Sequence, residues 1–121
     1  MKTLLLLWET FDDSWQGVRN TFFDEIAFRI ELAVAVILIP AALLLPVSLI
    51  VRILLIGSVL LVLIIELLNT AVEAAVNRIS TEQHTLSAKA KDAGSAAVLM
   101  ASINLLVVWE IVLFDLVFNI S

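Results

Sequence analysis

Apolar residues arrive along this chain in three long runs, each interrupted by a few charges. Ahead of them, residues 5 to 23 mix Glu9, Asp12, Asp13 and Asp24 at the edge with Trp8, Phe11, Trp15, Val18, Phe22 and Phe23. Phe11, Trp15, Val18 and Phe22 follow the i, i+4, i+7, i+11 spacing of one helical face, which predicts an amphipathic helix over about 5–23 lying in the headgroup region of a membrane. An ordinary helix packed on protein would show the same face. A first membrane-spanning helix is expected over about 26–45, a length sufficient to cross the hydrocarbon. Pro40 is placed to kink it, and Pro46 with Ser48 to turn the chain out of it. The second apolar run predicts a helix from about 50, spanning to about 72 and projecting into the cytoplasm as far as 79. After the polar connector STEQHTLS, a third helix is expected to start near Ala88, with its span over about 91–118.

In the second helix, the stretch ELLNTAVEAAVNR breaks the apolar pattern in an ordered way. At 100° per residue, Glu66, Asn69, Thr70, Glu73 and Asn77 fall in one stripe about 100° wide. Leu67, Leu68, Val72, Ala75 and Val76 make the other side apolar or small. The polar stripe therefore has to face another helix or a wet cleft rather than acyl chains.

Composition settles the class. The 121 residues are 62% hydrophobic, with mean hydropathy +1.10, far above a soluble domain. The reading is an all-α integral-membrane protein, a single domain over 1–121 with three transmembrane helices and a surface helix. A lone bundle of this size has little interior, which favours oligomers. The start MKTLLLLW imitates a signal peptide, but without a cleavage site the N-terminus is expected to be retained. Lys2, Arg19, Arg29, Arg78, Lys89 and Lys91 fall on one side of a three-span topology and only Arg52 on the other, which makes the N-terminus and the connector cytoplasmic.

Several function classes drop out. Cysteine is absent, so there are no disulfides or thiolate metal sites. A formal charge of −5 argues against nucleic acid. Gly17, Gly57 and Gly94 stand alone, leaving no GxGxxG and no GxxxxGK[ST]. Histidine occurs once, at His84, and no nucleophile elbow accompanies it.

The charges that remain suggest phosphate chemistry at a membrane boundary. Glu66 follows about 15 apolar residues, where a carboxylate costs about 2.5 to 3.5 kcal/mol to insert, so it is a candidate general base. Glu73, about 10 Å further along the axis, and Glu25, at the head of the first span, are expected at one depth. Two carboxylates with substrate phosphates suit Mg²⁺. Lys91 and Asp92 open the third helix at that level, able to pair with phosphate and to accept hydrogen bonds. Plainer roles fit the same residues: Glu66 as an interhelical hydrogen-bonding group, Glu73 as a snorkelling carboxylate, Lys91 and Asp92 as helix-start charges, His84 as a solvated loop residue. Asn104 reads as interhelical glue, Glu110 as part of an oligomer interface, and Trp109 as either an interfacial anchor or a core packer.

These residues resemble a family. Glu66-Leu-Leu-Asn-Thr-Ala-Val-Glu73, Asn77-Arg78, His84-x-Leu-Ser and Ala90-Lys91-Asp92-Ala-Gly94-Ser95-Ala-Ala-Val98 are similar to the small bacterial integral-membrane diacylglycerol kinases, as are Ser14-Trp15-x-Gly17 and Glu25-x-Ala-Phe-Arg29-x-Glu31. The resemblance covers about residues 11–109. It implies a homotrimeric bundle in the bacterial inner membrane that moves the γ-phosphate of ATP to the hydroxyl of diacylglycerol, giving phosphatidic acid. By resemblance, Glu66 is the base with Asn69 beside it, and Glu25 and Glu73 hold Mg²⁺. Glu82, His84, Lys91 and Asp92 meet the nucleotide, while Trp15, Arg29, Glu31, Arg52, Ser95 and Trp109 line or border the lipid site. Asp13 and Gln83 stand where tyrosines near the adenine are expected, and Asn77 where an aspartate is expected. A sister group that phosphorylates undecaprenol reads Phe-Arg-x-His and Lys-Asp-x-Ala-Ala-Gly-Ala-Val; Glu31 and Gly94-Ser95-Ala96 side with diacylglycerol. A non-enzymatic bundle or ion-conducting subunit is a third reading of the polar stripe.

Overall fold

The computed structural model describes residues 1–79 and 85–119. They form four helices, α1 (Lys2–Asp24), α2 (Ile26–Leu44), α3 (Leu49–Ile79) and α4 (Thr85–Asn119). The expected helices are all present; α1 and α4 extend further than expected, and α2 and α3 differ by one residue at one end. Leucine is a strong helix former, so α1 propagates back through the Leu4–Leu7 run to Lys2. Thr85 to Ser87, read from composition as connector, contain neither Gly nor Pro and are already helical. α2, α3 and α4 are each long and apolar enough to cross a membrane. At 1.5 Å per residue, the 31 residues of α3 reach about 46 Å, well beyond the hydrocarbon core.

Two short breaks fold the chain, and each is closed by an arginine. Glu25 alone separates α1 from α2, its backbone extended at φ −118°, ψ 113°. The Arg29 guanidinium reaches back to the carbonyls of Phe22 (3.0 Å) and Phe23 (2.9 Å), which the end of α1 leaves without helical partners. The second break follows from Pro46, which disfavours helical backbone at the residue before it; Leu45 accordingly sits at φ −66°, ψ 143°. Here Arg52 donates to Leu43 O, Leu45 O and Val47 O at 3.0 to 3.1 Å. Ser48 then caps α3, its Oγ accepting from Val51 N–H.

α3 is the axis of the bundle. It packs along α4 and α2 and touches α1, whereas α2 and α4 do not run side by side. The main apolar cluster, Ala35, Ala42, Leu55, Val59 and Trp109, gathers at the Arg52 end. Trp109 is therefore a core residue rather than an exposed anchor: its indole N–H donates to Leu55 O at 3.3 Å, the same carbonyl that accepts the Ser58 hydroxyl at 2.7 Å. Only 11% of α4's most apolar window is buried, which leaves Ile103, Leu106, Phe114 and Val117 facing outward for lipid or other chains. On α1, Phe11 and Trp15 are exposed while Val18 and Phe22 are half-buried, so the face read from the sequence is split between the bundle and the surroundings.

Trp109→Phe keeps an aromatic ring but removes the donor to Leu55 O. The expected loss is about 1 kcal/mol of unfolding free energy, measured by denaturant titration in detergent. No loss would show that the indole bond does not help fasten α4 to α3.

Candidate functional site

The other end of the α2–α3 pair is polar. Glu66 is buried, with 6% of its surface accessible. Its position follows from the stripe: lipid excludes the carboxylate, so α3 turns this side inward. The side chains fan out from there. Asn69, Thr70 and Glu73 are half-buried and Asn77 is exposed, because the stripe continues past the depth at which α2 covers it. The Thr70 hydroxyl donates to its own helix, at Glu66 O.

Glu31, from α2, meets Glu66 from α3, the two carboxyls lying within hydrogen-bonding reach. Glu25 and Glu73 stand close enough to act on Glu66 electrostatically. Acids from the α1–α2 break, α2 and α3 thus stand within electrostatic range of Glu66. None forms an ion pair with a basic residue among the described residues, since Arg29, the cation nearest in sequence to Glu31, is spent on α1 carbonyls. Acids crowded this way in a poorly solvated place either hold protons or take up a cation.

Asn69 bridges toward the C-terminal end of α3. Its amide Nδ2 donates to Glu73 Oε1 at 3.4 Å, while Oδ1 is buried without a hydrogen-bond partner, as is Glu31 Oε2. α4 approaches at this level, with Gly94 directly against the Asn69 amide. In the antiparallel pairing set by Asn69 against Gly94 and Leu55 against Trp109, Lys91 and Asp92 come level with the stretch from Ala71 to Glu73, exposed in the second turn of α4.

The remaining candidates separate. Ser95 is exposed beside Gly94 on α4, and Trp15 is exposed on α1. Arg52 and Trp109 belong to the opposite end: Leu55 and Glu66 are eleven positions apart on α3, or about 16 Å. Glu82 and His84 lie outside the described residues. Two features escaped the sequence reading, the carbonyl clamps of Arg29 and Arg52 and the seat of Asn69 on Gly94. A lone glycine in the α4 run facing the polar stripe was the signal for the second; nothing in the sequence signals the first.

The donors are all oxygen, chiefly carboxylates, a set suited to a hard cation such as Mg²⁺. Among the described residues no three acidic or histidine side chains close on a single point. Such a cage is not needed for Mg²⁺, which keeps waters and takes substrate phosphates alongside one or two carboxylates.

Comparison with known proteins shows what the chain is similar to. The model of the family described as "Prokaryotic diacylglycerol kinase" matches residues 12–113. Over 102 residues the chain is 48% identical to the diacylglycerol kinase of Escherichia coli (strain K12), covering 84% of each protein. It is 50% identical over 101 residues to the diacylglycerol kinase of Haemophilus influenzae, covering 84% of this chain and 86% of the relative. A shorter match, 53% over 51 residues, joins it to the diacylglycerol kinase of Pseudomonas aeruginosa.

Glu31→Gln tests the crowding of acids. The amide supplies Glu66 with a donor and removes one acid from the cluster, so thermal stability is expected to rise. An unchanged or lower Tm would contradict the claim that the crowding of the two acids destabilises the fold.

Proposed function

The chain belongs to the prokaryotic diacylglycerol kinase family, and from that premise we propose that it transfers the γ-phosphate of ATP to the free hydroxyl of diacylglycerol, releasing ADP and phosphatidic acid. The observation that carries this reading is the placing of Glu25, Glu31 and Glu73 about buried Glu66, next to α4, whose second turn carries Lys91 and Asp92.

Glu66 takes the proton of the lipid hydroxyl as that oxygen attacks the γ-phosphorus and the bond to ADP breaks. Its burial suits a base whose partner arrives from the bilayer, and Asn69 steadies the neighbouring Glu73. Glu25 and Glu73 would hold Mg²⁺, which when bound neutralises phosphate charge. Lys91 adds a point charge for phosphate, and Asp92 an acceptor for the nucleotide; Glu82 and His84 in the connector are assigned to the same substrate. Little else is required, because a loose phosphoryl-transfer transition state asks mainly for alignment and charge compensation.

Glu31, beside Glu66, is assigned to the lipid, as by family resemblance are Trp15, Arg29 and Ser95 on the surrounding helices. Arg52 and Trp109 act on it indirectly, by holding the far end of the bundle together. Assembly as a homotrimer is supported by the outward face of α4, where Asn104 and Glu110 are exposed among apolar neighbours and need cover from another chain. The charge distribution supports a cytoplasmic N-terminus in the bacterial inner membrane, which puts the acids on the side where ATP is found.

Purified protein given Mg·ATP and a choice of diacylglycerol, ceramide and undecaprenol is expected to phosphorylate diacylglycerol. Preference for undecaprenol would move the chain to the polyprenol reading, and no transfer to any lipid would end both. Glu66→Gln is expected to assemble and bind ATP but lose about a hundredfold to ten-thousandfold in kcat; near-normal turnover would remove Glu66 from the base role. In Glu25→Ala and Glu73→Ala, the Mg²⁺ concentration for half-maximal activity is expected to rise at least about tenfold, or about 1.4 kcal/mol. Unchanged titrations in both would rule out their shared hold on the metal.

A further inference from the structure

Gly94 is the one glycine whose missing side chain is filled by a neighbour. A Cβ built there would overlap Asn69 Oδ1 and lie 3.3 Å from Asn69 Cγ, whereas a Cβ at Gly17 or Gly57 would meet nothing within 4 Å. The same Oδ1 is buried and has no hydrogen-bond partner. Glycine carries a second α-hydrogen where other residues carry Cβ, and at Gly94 that hydrogen points at Oδ1, a weak C–H···O contact of the kind found where helices approach closely.

The opposite end of the amide is committed as well, since Nδ2 donates to Glu73 Oε1. Turned over, the amide would place its oxygen against that carboxylate and lose the bond. Glu73 on one side and Gly94 on the other therefore leave the Asn69 side chain one orientation. We propose that Gly94 is a positioning residue: by lacking a Cβ it lets α4 press the Asn69 amide toward Glu73, and so fixes where the Glu73 carboxylate stands. The proposal rests on the reading of Asn69 and Glu73 as part of the phosphotransfer site.

With any larger residue at position 94, Asn69 rotates away or α4 moves off α3. In either case the Asn69–Glu73 bond is lost, although no atom at position 94 touches a substrate. The consequence belongs to turnover more than to lipid affinity, because misplacing a positioned group by an ångström is enough to lower rates about a hundredfold.

A double-mutant cycle on the full chain, purified in detergent, separates this role from a general need for glycine. Gly94→Ala is expected to lower Tm, yet in an Asn69→Ala background the same change is expected to leave Tm unchanged or raise it, as alanine does in an unhindered helix. Gly57→Ala serves as the control, with no loss of Tm or activity. If Gly94→Ala alone does not assemble, recovery of assembly in the double variant reports the same coupling. In kinetics, Gly94→Ala is expected to reduce kcat by about tenfold to a hundredfold with little change in the KM for diacylglycerol. Equal losses of Tm in both backgrounds would overturn the contact, and coupling in Tm with an unaltered kcat would overturn the positioning role. The Tm cycle needs no turnover, so a wild-type chain inactive on diacylglycerol would refute the proposed function while leaving the Gly94–Asn69 contact to be judged separately.

Discussion

A carboxylate inside an apolar helix has to be turned away from acyl chains, and in this protein that requirement falls on Glu66. α3 satisfies it by burying Glu66 against α2, where it meets Glu31. Much of the arrangement follows from that one contact. It sets the rotation of α3 about its axis, which carries Asn69 toward α4 and within reach of Glu73. The cluster accumulates more negative charge than the described residues offset. Such a group is neutralised by protons or, in the proposed reaction, by a metal and phosphates.

The opposite end of the bundle makes that concentration of acids sustainable. Leu55, Val59, Ala35, Ala42 and Trp109 provide the close apolar packing, and the Leu55 carbonyl ties α4 to α3 through the Trp109 indole. Polar strain and apolar cohesion are thus separated along the same helices. Arg29 and Arg52 link the two: each clamps the free carbonyls at a helix end and so holds the bend on either side of α2. The first bend delivers Glu25 to the acids, and the second sets the register of α2 on α3 that brings Glu31 to Glu66.

The helices were legible in the sequence because apolar runs of this length, broken by only a few charges, are what membrane-spanning helices require, and their limits differ from expectation by more than one residue only where no Gly or Pro marked a boundary. Helical spacing also brought out the stripe from Glu66 to Asn77, although not the depth at which it leaves cover: Asn77 is exposed while Glu66 is buried. The tasks of Arg29 and Arg52 were not legible. A guanidinium near a polar site reads equally as a substrate ligand, and its choice of backbone carbonyls depends on how sharply the chain bends beside it. Gly94 was noticed as a lone glycine, but its purpose needs α4 laid against Asn69. The indole of Trp109 was ambiguous for the same reason, since an interfacial ring and a core ring look alike until the neighbouring helix is in place.

The central claim is that the carboxyls of Glu31 and Glu66 meet within one chain. Solid-state NMR of protein labelled with carbon-13 in glutamate, reconstituted in bilayers, reads this contact through the correlation between the two side-chain carboxyl carbons, assigned with Glu→Gln variants. The account predicts a strong correlation that survives when labelled chains are diluted with unlabelled ones. No correlation, or one that vanishes on dilution because it joins neighbouring chains, would contradict it.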